Sequence, residues 1–144
     1  MNISRCDVGE SLNAFYKYAG AEFKEGSCYC NAFKLLAIYL GKRPVSGVIG
    51  YVLSTDGTRK VAVRHCWLRD DETGQAIDVS TFAAGYSPVA VLNFDYAEVM
   101  VMSPKEWLRK TESNNGMPCL DETPEELAYI EKLKEQGYEV LDEE

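Results

Sequence analysis

Two strand-like segments, separated by a tight-turn signal, restrict the fold of this chain most strongly. They are GVIGYVLS (47–54) and RKVAVRHCWLR (59–69), and Asp56-Gly57 lies between them. A period of two with many β-branched and aromatic residues is typical of strands, and Asp-Gly favours a turn. QAIDVST (75–81) predicts a third strand after the loop DDETG. The middle of the chain is therefore expected to form an antiparallel meander.

The second half of the chain predicts further strands and two helices. PVAVL (88–92) and AEVMVMS (97–103) are interpreted as one or two additional strands. Ser103-Pro-Lys-Glu106 and Thr123-Pro-Glu-Glu126 are capping boxes with proline at the first helical position. The second box starts an amphipathic C-terminal helix that Gly137 is expected to end.

The N-terminal part predicts two helices, over residues 8–18 and 28–40. Ser27 is a suitable N-cap for the second helix, and Gly41 stands at the expected C-terminal position. Its apolar stripe is broad, so this helix is expected to be well buried. The order of helices, meander and helices predicts an α+β fold in a single domain spanning 1–144.

Charge and cysteine content exclude several classes of protein. The formal net charge is −8 at pH 7, whereas nucleic acid and anionic membrane surfaces call for clustered Lys and Arg. No apolar stretch reaches the length of a membrane span. The five cysteines are an odd number and the N-terminus has no signal-peptide pattern, so a cytoplasmic protein with reduced thiols is expected.

A metal site is a minor hypothesis. Cys28, Cys30, Cys66 and His65 are residue types that bind zinc, but their spacing does not match the usual Cys-x2-4-Cys pairs. We expect neither a metal nor an organic cofactor.

The only histidine, His65, lies in the middle of the predicted strand 59–69. If DDET forms a four-residue loop, His65 lies directly opposite Asp78, and paired residues share one face of a sheet. A carboxylate there can accept the Nδ1 proton of the imidazole and leave Nε2 available. A lone histidine on a strand is more often structural, but an aspartate between Ile77 and Val79 needs a partner.

Cys28 stands at the predicted start of the helix 28–40. The positive end of a helix and a nearby imidazolium both stabilise a thiolate, which is the nucleophilic form of cysteine. The backbone N–H of the cysteine can also donate to an oxyanion. A buried structural cysteine is the alternative interpretation.

The motifs together resemble the papain-like fold in its transglutaminase-like branch. They are Gly26-Ser-Cys28 with Ala32, then His65-Cys-Trp67, then Ile77-Asp78-Val-Ser80-Thr81, and the resemblance covers about residues 20–82. It implies that Cys28 is the nucleophile, His65 the general base and then acid, and Asp78 the residue that orients the imidazole. It also implies a papain-like core, in which the nucleophile's helix packs on the sheet.

The chain departs from this family pattern at the second oxyanion donor. Papain-like peptidases place a glutamine a few residues before the nucleophile, where this chain has Glu22, Phe23 and Lys24. Either Ser27, Asn31 or a second backbone N–H replaces this donor, or the activity is weak. Trp67 is expected to form a wall against the histidine ring rather than a substrate platform.

Three roles remain open. The first is a thiol enzyme that acts on an amide or acyl carbonyl of a protein or peptide through an acyl-thioester. Peptidase or glutamine deamidase activity is slightly favoured over transglutaminase activity, in the cytoplasm of its own cell or after delivery into a host cell. The second is a non-catalytic protein-binding module on the same fold, which the missing glutamine favours. The third is the metal-holding domain described above. The sequence does not indicate an oligomeric state. Cys30, on the other side of the helix from Cys28, is expected to be a small buried hydrophobe.

Overall fold

The computed structural model describes residues 2–142 and confirms the α+β class. None of the helices within these residues is long and apolar enough to cross a membrane. The elements in chain order are β1 (Asn2–Ser4), α1 (Val8–Lys17), a 3-10 turn (Ala19–Ala21), α2 (Cys28–Tyr39), β2 (Val45–Asp56), β3 (Arg59–Asp70), β4 (Ala76–Ile77), α3 (Ser80–Ala83), α4 (Pro88–Leu92), β5 (Asp95–Met102), α5 (Pro104–Ser113), α6 (Pro124–Glu135) and β6 (Tyr138–Asp142).

The strands form one mixed sheet in the order β1-β5-β2-β3-β4, and β6 pairs with β3. The predicted antiparallel meander is present in β2, β3 and β4. The meander does not continue past β4. Strand β5 pairs with the other side of β2, and β6 runs parallel to β3. The predicted C-terminal helix ends before Gly137 (φ 89°), and strand β6 follows it as the last described element.

One edge of β3 is shared between two short partners. Residues 60–64 pair with β6, and residues 68–69 pair with β4. Within the described chain, His65, Cys66 and Trp67 therefore pair with β2 alone. This stretch is an interruption in the edge of the sheet, where side chains and a helix end can approach the strand.

Helices cover both faces of the sheet. Helix α2 packs with α5 on the face that carries Cys66 and Leu68. The opposite face carries Trp67 and is covered by side chains from α1, α3 and α4. Because side chains alternate along a strand, His65 points to the same face as Trp67. Helix α6 covers the remaining end of the sheet with Tyr129 and Leu133.

The segment 88–92, predicted as a strand, is helix α4. Ser87 caps it by accepting a hydrogen bond from the Ala90 N–H (3.2 Å), and Pro88 occupies the first turn. The same Ser/Thr-Pro signature starts α5 and α6, where the sequence predicted helices correctly. The strand prediction relied on the apolar composition of residues 88–92. The Ser87 cap and Pro88 determine the local structure instead.

Gly50 allows the backbone of β5 and the Trp67 ring to approach β2 closely beside His65. It pairs with His65 on β3, and the pairing of β2 with β5 shifts register between Ile49 and Gly50. A Cβ at position 50 would lie 2.0 Å from the Ala97 carbonyl oxygen and 2.8 Å from the Trp67 ring. Only glycine fits such a close approach of two backbones and an indole.

Candidate active site

His65 and Asp78 form the predicted pair. Nε2 of His65 lies 2.9 Å from Oδ2 of Asp78, and the two residues are 4% and 1% exposed. Because a carboxylate has no hydrogen to donate, Nε2 is the donor in this bond. The predicted use of Nδ1 is therefore wrong: Nε2 is engaged by Asp78, and Nδ1 is the nitrogen on the other side of the ring.

The register that brings these residues together differs from the predicted one. Leu68 pairs with Ile77 and Arg69 with Ala76, whereas the prediction paired Arg69 with Gly74. The loop is longer than predicted because two backbone hydrogen bonds close it at Asp70. The Asp70 carbonyl accepts from the Gly74 N–H, and the Asp70 N–H donates to the Gln75 carbonyl. The shift is by two residues, and a shift by two keeps every side chain on its face.

The predicted strand 75–81 is much shorter, because Asp78 ends it. The Asp78 carboxylate accepts from the Ser80 N–H (3.1 Å), and the Thr81 hydroxyl donates to the Asp78 carbonyl (3.2 Å). Such local bonds turn the chain out of the sheet and start α3 at Ser80. Asp78 thus lies just past the end of β4, diagonal to His65.

The Asp78 carboxylate is held by donors on three elements. Oδ2 accepts from His65 and from the Tyr96 hydroxyl on β5 (2.8 Å), while Oδ1 accepts from Ser80. The Asp78 N–H donates to the Ser11 hydroxyl on α1 (2.9 Å). Burial and the nearby Asp78 charge raise the pKa of Tyr96, so its phenol stays protonated and keeps donating. The carboxylate is therefore fixed in place and stabilised as an acceptor.

The predicted wall beside the histidine ring is present. The rings of His65 and Trp67 stack with centroids 6.0 Å apart and planes 23° from parallel. Tyr96 packs edge-on against the indole at 5.0 Å. Trp67 is only 1% exposed, so it orients the imidazole and offers almost no surface to a substrate.

Cys28 is the first residue of α2 and is 2% exposed. It belongs to the same apolar cluster as Cys66, which follows His65 on β3. Burial raises the pKa of the Cys66 thiol well above its ordinary value, and negative charge on Cys28 or Asp78 raises it further. The first turn of α2 packs against β3 next to His65, because Cys28 shares a cluster with Cys66 and the Tyr29 hydroxyl accepts a hydrogen bond from Arg64.

Asn31, a candidate oxyanion donor, has a structural role. Its amide donates to the Ser80 hydroxyl (2.9 Å) and the Lys24 carbonyl (2.7 Å), and its oxygen accepts from the Lys24 N–H (3.0 Å). Both amide hydrogens are thereby used. These bonds connect α2 to Ser80, which in turn holds Asp78. Asn31 links the helix of Cys28 to the carboxylate that binds His65.

Ser27 remains a candidate donor. It is the N-cap of α2 and is partly exposed, yet within the described chain its hydroxyl makes no capping bond to the first turn. The Cys28 N–H is at the first helical position of α2. The Ser27 hydroxyl and the Cys28 N–H therefore belong to adjacent residues at the N-terminus of α2.

The other cysteines correct one expectation. Cys30 is exposed rather than buried, as is Cys119, whereas Cys6 and Cys66 are buried. Burial raises the pKa of Cys6 to about 12. Among residues 2–142, no three His, Cys, Asp or Glu side chains come close enough together to hold a metal ion. Cys28, Cys30, Cys66 and His65 therefore do not form such a group in the described part of the chain.

A cleft of about 310 Å³ opens beside His65. Two of its residues, Ala84 and Tyr86, come from the segment that follows α3. Its floor is apolar, and its rim extends to the residues before α2. The lining residues are Glu25, Gly26, Val52, Ser54, Val63, His65, Ser80, Thr81, Ala84, Tyr86 and Phe94.

Ser11 and Tyr96 are site residues that the sequence did not reveal. Ser11 lies on α1, 67 residues before Asp78, and Tyr96 lies on β5, 18 residues after it, so packing between separate elements brings both to Asp78. Ser80 had a weak local signal, since a hydrogen bond from the second residue after an aspartate is a common turn contact.

Comparison with models of known protein families, with curated proteins and with solved structures finds no match for this chain.

Proposed function

We propose that this protein is a cysteine hydrolase with a papain-like core, in which Cys28, His65 and Asp78 act on an amide or acyl carbonyl. The observation that carries the proposal is the buried His65–Asp78 bond of 2.9 Å beside an open cleft. The substrate is a protein or a peptide, and no metal or organic cofactor takes part. Within this class we favour peptide hydrolysis or glutamine deamidation over transfer to a second amine.

The environment of Asp78 favours a functional over a structural histidine. A buried carboxylate loses its hydration and requires several hydrogen bonds to offset that cost. Here His65, Tyr96 and Ser80 supply them, and Trp67 fixes the plane of the imidazole. Asp78 binds Nε2 and Trp67 packs against the ring, so the imidazole has one orientation. The direction of Nδ1 is thereby fixed, as a general base requires.

The proposed acylation begins at the thiolate of Cys28. His65 takes the thiol proton on Nδ1, and the sulfur attacks the carbonyl carbon, forming a C–S bond and an oxyanion. The Cys28 N–H and the Ser27 hydroxyl are the donors for that oxyanion. When the C–N bond breaks, the imidazolium returns its proton to the leaving amine or ammonia. The product is a thioester on Cys28.

Water then resolves the thioester. His65 removes a proton from the water, whose oxygen attacks the acyl carbon. The C–S bond breaks, the carboxylic product leaves, and the sulfur regains its proton from the imidazolium. Each step moves one proton through His65, and Asp78 stabilises the imidazolium without taking the proton.

Alkylation by iodoacetamide tests the proposed thiolate, with Cys30 as an internal control on the same helix turn. At about pH 6.5 an ordinary thiol is roughly 1% ionised, whereas a thiolate–imidazolium pair is largely ionised. Part of that advantage is offset by the lower nucleophilicity of a more acidic thiol. We expect Cys28 to react at least about tenfold faster than Cys30, although Cys30 is the exposed one. Mass spectrometry of peptides identifies the modified cysteine.

The same measurement on His65→Ala completes the test. Loss of the imidazole should slow Cys28 below Cys30 at about pH 6.5, leaving Cys30 unchanged. If Cys28 of the wild type reacts no faster than Cys30, the thiolate is absent and the hydrolase proposal fails. That outcome favours the protein-binding module, for which the 2% exposure of Cys28 is the supporting observation.

A further inference from the structure

A buried ion pair lies on the sheet face opposite His65. The guanidinium of Arg64 donates from Nε to Oε2 of Glu126 on α6 (2.6 Å) and from Nη2 to Oε1 (3.0 Å). The Tyr51 hydroxyl on β2 donates to the same Oε2 (2.7 Å). Arg64 is 8% exposed and Glu126 is 1% exposed. The pair is bidentate, which fixes the plane of the guanidinium.

Arg64 also binds the first turn of α2. Its Nη1 donates to the Tyr29 hydroxyl, and its charged carbon lies 5.7 Å from the centre of the Tyr29 ring. Nη2 donates in addition to the Leu120 carbonyl (2.9 Å). Burial raises the pKa of Tyr29, so the phenol stays neutral at ordinary pH. The guanidinium therefore connects α2, β3, α6 and the loop before α6.

The two ends of the Arg64–Tyr29 bond adjoin the proposed catalytic residues. Tyr29 follows Cys28 at the start of α2, and Arg64 precedes His65 on β3. The bond therefore fixes the distance between the start of α2 and β3. It does so one residue away from the Cys28 thiol on the helix and one residue away from the His65 imidazole on the strand. A misplacement of about 1 Å between reacting groups can reduce a rate about 100-fold.

Stability alone does not explain such a cluster, because replacing a buried ion pair with well-packed apolar residues is often neutral or stabilising. Orientation does explain it, since a bidentate pair has one geometry and an apolar contact has many. We propose that Arg64 and Tyr29 are positioning residues that hold Cys28 in register with His65. This inference rests on the proposed hydrolase function and names a further part of its site.

Two matched tyrosine variants test it. Tyr29→Phe removes the hydroxyl between Arg64 and α2, and Tyr51→Phe removes the hydroxyl between the same ion pair and β2. The readout is the alkylation rate of Cys28 across pH, normalised to Cys30, with the melting temperature of each variant measured in parallel. We expect Tyr29→Phe to slow Cys28 about tenfold or more at about pH 6.5 and Tyr51→Phe to change it less than about twofold.

The possible outcomes separate the two proposals. If both variants slow Cys28 equally, or if Tyr29→Phe leaves the pH profile of an activated wild-type Cys28 unchanged, positioning by Arg64 and Tyr29 is refuted while the hydrolase function stands. If wild-type Cys28 reacts no faster than Cys30, both proposals fall. A slower Cys28 in Tyr29→Phe alone, with similar melting temperatures for the two variants, supports positioning.

Discussion

Asp78→Asn is expected to lower the rate at which the enzyme hydrolyses an activated acyl ester, such as p-nitrophenyl butyrate, by at least about 100-fold. The Ser80 N–H requires an oxygen at the position of Oδ1, so the new NH2 faces His65 and Tyr96. Nε2 of His65 must then accept a hydrogen bond, which moves the ring proton to Nδ1. An imidazole protonated there cannot take the Cys28 proton.

Asp71→Asn is the control for this variant. It makes the same change in an exposed carboxylate on the loop between β3 and β4, which accepts from the Ser46 hydroxyl on β2. We expect its rate to stay within about twofold of the wild type, because it contacts neither His65 nor the cleft. Urea unfolding of both variants establishes that each is folded under the assay conditions. A fully active Asp78→Asn would show that the carboxylate has no part in the reaction.

Glu126→Ala is expected to reduce the free energy of unfolding by about 3–5 kcal/mol. It leaves the Arg64 guanidinium buried without its carboxylate and removes the acceptor of the Tyr51 hydroxyl. A typical domain has about 5–15 kcal/mol of stability, so this loss is a large part of the total. The urea midpoint of unfolding measures it.

Glu125→Ala is the matched control, since Glu125 is exposed and occupies the same turn of α6. Its stability should stay within about 0.5 kcal/mol of the wild type. The Thr123 cap is unaffected in both variants because it binds the backbone N–H of residue 126. Equal midpoints for the two variants would contradict a structural role for the ion pair.

Local signals in the sequence predicted the parts of the fold that local physics determines. The start of α2 at Cys28, the hairpin of β2 and β3 around Asp56-Gly57, and the capped starts of α5 and α6 are all confirmed. Each depends on residues within a few positions of one another. The strand β6 was missed because its pairing joins residues 138–142 to β3 in the middle of the chain.

The candidate site was predicted in part, for a similar reason. Side chains alternate between the two faces of a sheet, so the sequence predicted correctly that Asp78 and His65 share a face. The predicted register was wrong by two residues, but a shift by two does not change the face, and the two side chains are in contact. The choice of ring nitrogen depends on side-chain torsions, which the sequence does not encode locally. Tyr96 and the contacts of Arg64 arise from packing between distant segments, and no local pattern predicts them.

The central claim is an acyl group carried on Cys28, and rapid mixing with p-nitrophenyl butyrate tests it most directly. The cleft beside His65 has an apolar floor that suits a short acyl chain. We predict a burst of p-nitrophenol equal to the enzyme present, and an acyl group on Cys28 when the reaction is stopped in acid. Cys28→Ala should show neither, whereas Cys30→Ala should behave like the wild type. Absence of the burst from the wild type, or an acyl group found on Cys30 instead of Cys28, would contradict the account.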